Sequence, residues 1–162
     1  MSFKLKLFIS FLLFIPFSFC FSQEGFIDSA QSGFSYWTNF MDMDESLVER
    51  KLTRFYGLEP VEINPSEIKS KAERVIWYKN GPTVWFISGR AVQLRLSVGM
   101  EGLIDGVGFG SSVESVKTSF GNPWIETEND LYYNLPWKGG PLKLRLYFKE
   151  NALYEAYLYI VR

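Results

Sequence analysis

The chain has 162 residues, 22% of them charged and 47% hydrophobic, with a net charge of −1, one Cys and no His. That balance excludes the strongly basic surface that nucleic-acid binding requires. The lack of His excludes Ser-His-Asp and Cys-His nucleophile systems and His-ligated metal centres, and a lone Cys can form no internal disulfide.

Lys4 and Lys6 precede an apolar run from Leu7 to Phe19, a basic n-region and an h-region that read as an export signal over residues 1–22. Pro16 interrupts the run, which falls short of the roughly 20 apolar residues needed to span a bilayer. A cut after Ser22 would set Cys20 and Ser22 at the small-residue positions and make Gln23 the first residue. The removed segment carries two Lys and no acid, so the remaining 140 residues would have a net charge of −3. Cys20 permits another reading, as the lipidated first residue of a bacterial lipoprotein and hence a lipid anchor to a membrane, although the bulky Phe19 stands where that motif has a small residue.

After the signal, Phe26, Ile27, Ala30, Phe34 and Trp37 are spaced by three and four, which predicts a short helix within Gln23–Phe40. A second helix follows, with Asp42 or Asp44 as its cap, Val48, Leu52 and Phe55 on its inner side and Gly57 just past its end. Residues 58–71, with Pro60 and Pro65, read as a connecting loop with one helical turn. Strands are predicted from Arg74 to Tyr78 and from Thr83 to Ile87 around the turn Lys79-Asn80-Gly81-Pro82, then from Ala91 to Val98, where apolar and polar residues alternate. Gly106-Val107-Gly108-Phe109-Gly110 reads as an approach to a helix. In that helix Ser111-Ser112-Val113-Glu114 forms a capping box on Ser111, Val113, Val116 and Phe120 face inward, and Gly121 and Pro123 end it. Glu126, Glu128 and Asp130 read as a wet loop. Three strands close the chain, at Asp130–Asn134, Leu142–Lys149 and Ala152–Val161.

The two helices say nearly the same thing. Ser46–Phe55 and Ser111–Phe120 align without a gap and match at five of ten positions, and each is followed by Gly, Pro and an aromatic-rich β region. A period of about 65 residues points to two copies of one small unit. The domain reading is therefore a signal peptide over 1–22, a first repeat over 23–98 and a second over 99–162.

The stretch from Gly108 to Pro123, with Tyr132-Tyr133, Leu144-Arg145-Leu146-Tyr147-Phe148 and Asn151 after it, resembles the BamE (SmpA/OmlA) family of bacterial outer-membrane assembly lipoproteins. The resemblance covers about Gly106 to Val161; in the first copy Tyr56 stands before Gly57, and Leu58-Glu59 separate Gly57 from Pro60. A duplicated unit of this kind is similar to the β-lactamase inhibitory protein fold. What the likeness implies is an α+β fold of two tandem helix-helix-antiparallel-strand repeats, forming a joined antiparallel sheet with helices on one face. It also implies work done by gripping another protein.

If Phe86 and Phe148 are equivalent core residues, alternation puts Trp85 and Tyr147 on the outward face. Gln93, Arg95, Lys143, Arg145, Glu155, Tyr157 and Tyr159 fall there too. Tyr, Trp and Arg are the residues that dominate recognition hot spots. Trp85, Arg95, Lys143, Arg145, Tyr147, Tyr157 and Tyr159 are thus the candidate protein-binding residues, while Trp37, Trp77 and Trp124 are assigned to the core. The functional expectation is a non-enzymatic, exported envelope protein, periplasmic or associated with the outer membrane, that binds another envelope or secreted protein as a scaffold or assembly factor. Inhibition of a periplasmic or secreted hydrolase, or binding of a small ligand, are the alternatives. No cofactor, metal or nucleic acid enters this reading.

Overall fold

The computed structural model describes residues 34–100 and 107–161. The expected signal peptide with Cys20, the start of the first expected helix at Gln23–Gly33, and Gly106 lie outside the described residues.

Eight strands form a single antiparallel sheet. They are β1 (Pro60–Ile63), β2 (Arg74–Tyr78), β3 (Thr83–Ile87), β4 (Arg90–Ser97), β5 (Ile125–Glu126), β6 (Asp130–Leu135), β7 (Leu142–Lys149) and β8 (Ala152–Ile160). Their spatial order is β1-β2-β3-β4-β8-β7-β6-β5, so the longest strands occupy the middle and the shortest, β1 and β5, the edges. Helices are few and short: α1 (Phe34–Thr38), α2 (Glu45–Arg50), which runs into a π-helical turn at Lys51–Phe55, and α3 (Val113–Phe120).

This is a mostly-β architecture and overturns the α+β expectation of helix-helix-strand repeats. Two segments read as loops are edge strands instead: β1 takes part of residues 58–71, and β5 part of the acidic stretch. At four and two residues, both are too short for a period of two to stand out from loop sequence, so pairing with β2 and β6 decides their conformation more than their own pattern. The helices, at five to eight residues, are below the length that is stable alone and hold by packing.

The core is the sheet's inner face under α2 and α3. Tyr133, Leu144, Leu158, Leu94, Val84 and Ile76 form one in-register row across six strands, and Ala156 stands between Leu96 and Leu146 in the next. Val48 and Leu52 from the first helical segment and Val116 and Phe120 from α3 pack on this layer, with Val48, Leu52 and Val116 fully buried. Phe55 departs from the expected inner side and is 76% exposed. The π-helical turn adds a residue to the winding just before it, which swings Phe55 off the stripe that Val48 and Leu52 share. The capping box is also displaced by one residue: Ser112, not Ser111, caps α3, accepting from Ser115 N at 3.2 Å. The Ser111 hydroxyl instead accepts from Gly108 N at 3.0 Å, ordering the glycine approach.

The hairpins β3–β4 and β7–β8 are built alike. Each turns on two residues with positive φ, Ser88-Gly89 and Glu150-Asn151, the conformation whose twist suits tight hairpins. Each also slips register just before its buried phenylalanine, Phe86 or Phe148, leaving Val92 and Tyr154 as the extra residues. The cap residues Asp44 and Ser112 make matching bridges to Arg90 and Ala152, the first residues of β4 and β8. Those bridges tie each helix start to the hairpin beneath it.

Candidate functional site

Among the described residues no helix covers the other face of the sheet, and all seven candidate protein-binding residues lie there. The alternation of β4, β7 and β8 puts their leucines inward and their polar and aromatic residues outward. Register gathers the outward residues into rows. One runs Ile125, Tyr132, Arg145, Tyr157, Arg95, Thr83, Trp77 and Val61 across all eight strands. The adjacent row runs Asn134, Lys143, Tyr159, Gln93, Trp85, Val75 and Ile63. Tyr147 stands on the other flank, opposite Asp130 and Glu155.

The cations of this face are held in place by neighbours. Arg145 Nε donates to Asp130 Oδ1 at 2.7 Å, and its guanidinium lies 5.3 Å from the Tyr157 ring and 6.0 Å from that of Tyr147. The Asp130 hydrogen bond is the main reason the guanidinium holds its proton more tightly than usual. Arg95 donates from Nη2 to Thr83 Oγ1 at 3.2 Å and stands 3.6 Å from the Glu155 carboxylate. Lys143 bonds to Asn134 and sits 3.9 Å over the Trp124 ring. The Tyr157 phenol, pushed up to about 12 first by burial and then by its hydrogen bond to Glu155, stays protonated and donates to that carboxylate. Burial also raises Tyr159.

The sequence reading missed several members of this surface. Asp130, read both as the first residue of a strand and as part of a wet loop, opens β6 and orients Arg145, a role the reading did not give it, while Tyr132 and Thr83 complete the main row of this face. Trp77 and Trp124, assigned to the core, are 38% and 54% exposed. Trp77 alternates with the buried Ile76 and Tyr78, a period-2 signal that could have placed it outside. Trp124 precedes an edge strand that the sequence did not reveal, and its exposed ring carries the Lys143 ammonium.

A cleft of about 680 Å³ lies elsewhere, lined by Asp42, Asp44, Arg90, Trp137 and Lys138 among others. Two of its charged residues bond locally: Arg90 donates to the Asp42 backbone carbonyl at 2.9 Å, and Asp44 caps α2 by accepting from Ser46 N at 3.0 Å. Those contacts belong to the start of α2.

No family model, curated protein or solved structure matches the chain. The reading of the site therefore stands on its own geometry.

Proposed function

We propose that this is a non-enzymatic, exported protein of the bacterial envelope that docks its helix-free sheet face onto another protein. The observation that carries the proposal is the row Tyr132–Arg145–Tyr157–Arg95, aromatic and guanidinium residues alternating over four hydrogen-bonded strands. Strand pairing fixes their spacing, and the ion pairs with Asp130 and Glu155 restrict the two arginines. Less side-chain entropy is then lost on binding, which is what preorganisation contributes to affinity. Tyr and Arg combine apolar area with directional donors, as hot-spot residues do.

The test is affinity capture from envelope extract with the exported protein, run beside a folded Trp85→Ala, Tyr147→Ala, Tyr157→Ala variant. A single stoichiometric partner retained by the wild type and lost by the variant is the expected result. Equal capture by both would move the interface off this face.

A further inference from the structure

Near its β1 side, the helix-free face holds a notch of about 340 Å³. Thr83, Gln93 and Arg95 line it together with Trp85, Ile63, Ile68 and Ser70. The segment after β1 rises beside these strands, and under it Val75 and Thr83 are only 0% and 2% exposed although their strand positions face outward. That wall is internally bonded: Asn64 Oδ1 accepts from Ser66 N at 3.1 Å and Ser66 Oγ at 2.7 Å, and Ser70 N donates to the Pro65 carbonyl at 2.9 Å.

Among the described residues, Arg95 is the only charged one lining the notch. Of the five N–H donors of a guanidinium, it gives one to Thr83 and shares a further hydrogen bond with the Tyr157 phenol, and its side chain remains 35% exposed. Glu155 faces it from β8 at 3.6 Å, an ion pair too long to be a hydrogen bond. The Gln93 side chain has no hydrogen-bond partner among the described residues. A planar donor fork and a spare amide beside two isoleucines and a tryptophan match a carboxylate on an apolar stem, the group that arginine binds in bidentate fashion.

We propose that this notch receives an acidic side chain of the docked protein, a Glu or Asp beside an apolar residue, with Arg95 reading the carboxylate and Ile63, Ile68 and Trp85 the apolar neighbour. The inference rests on the protein-docking reading and names the partner's chemistry within it. Charge complementarity selects the occupant, because the lining of the notch carries a cation and no anion, Glu155 standing outside the lining at 3.6 Å from Arg95. Glu155 is the internal competitor that a partner carboxylate has to outbid.

The test uses three blocked tripeptides on the whole exported protein: acetyl-Leu-Glu-Leu-amide, its neutral isostere acetyl-Leu-Gln-Leu-amide, and acetyl-Leu-Gln-Leu with a free terminal carboxylate. Binding is read from NMR shifts of the Trp85 indole and the Gln93 side-chain amide. The Glu peptide should bind about tenfold more tightly than the Gln isostere, the scale of one charge-assisted hydrogen bond. Arg95→Gln should erase that preference and Glu155→Gln should widen it several-fold; the latter is a gain that a merely structural Arg95 would not produce. Ile68→Asp, on the exposed wall, should weaken the Glu peptide with the fold unchanged. Equal binding of the Glu and Gln peptides, no binding of any, or preference for the free terminus would each overturn the proposal. A notch that fails this test while the triple variant still loses its partner would leave the docking face standing without an acidic contact.

Discussion

Tyr133 donates its phenolic O–H to the Gly121 carbonyl at 3.1 Å, tying the end of α3 to the middle of β6. The bond lies between a buried aromatic residue and a glycine whose backbone, at φ 79° and ψ −167°, occupies a region open almost only to glycine. Tyr133→Phe keeps the ring, which packs edge-on against Phe120 at 5.7 Å, and removes only the hydrogen bond. A loss of about 1 kcal/mol is expected from urea denaturation. Gly121→Ala should cost about 1–3 kcal/mol from strain alone. A neutral Gly121→Ala would mean that α3 ends in another way.

The two helix starts yield a second measurement. Asp44 and Ser112 each satisfy an orphan amide of the first turn, at 3.0 and 3.2 Å, and each bridges to a strand of the hairpin below. Alanine at either position should cost about 1 kcal/mol. Glu114→Ala should cost less than Ser112→Ala, because among the described residues the Glu114 side chain makes no return bond to Ser111 that a capping box would need. The reverse order in chemical denaturation would restore the box.

The long strands were legible in the sequence because their pattern and their environment agree. Leu142 to Lys149 alternates without a break, and the strand has those bounds. Seen from the chain alone, Pro60–Ile63 and Ile125–Glu126 are too short for their pattern to be read, since an edge strand is held by a neighbour distant in sequence. The outward positions of Trp85, Arg95, Lys143, Arg145, Tyr147, Tyr157 and Tyr159 followed from alternation. Their partners did not: Asp130 reaches Arg145 and Glu155 reaches Arg95 only through register, which depends on how the strands pair. Helix content was overestimated because periodicity locates an apolar stripe without showing how far the hydrogen bonding continues along it.

Phe55 and Leu52 separate those two kinds of information experimentally. Spacing assigns both to the inner side of one helix, yet Leu52 is fully buried and Phe55 is 76% exposed. Leu52→Ala should therefore destabilise by about 2–5 kcal/mol through lost burial and the cavity left behind. Phe55→Ala should fall within about 0.5 kcal/mol of wild type, as for a surface position. Comparable losses in thermal or urea unfolding would mean that the helix continues as an ordinary α-helix and Phe55 points inward.

High pH is the expected weakness of this fold. Tyr78 and Tyr157 are pushed up from 10.0 to about 12, Tyr78 by burial and then by the Glu49 charge, Tyr157 by burial and then by Glu155. The folded protein thus keeps protons that the unfolded chain releases above pH 10. Stability from these phenols is complete below that value and is lost as pH rises through 10 towards 12. Absorbance at about 295 nm, followed together with near-UV circular dichroism, should show the late-titrating phenols ionising as the tertiary signal disappears. Tyr78→Phe isolates one of them. Its hydroxyl is buried without a hydrogen-bond partner, so the variant should match or slightly exceed wild-type stability at pH 7 and should move the alkaline unfolding midpoint upward. An unchanged midpoint would show that Tyr78 stays protonated until the rest of the sheet has already opened.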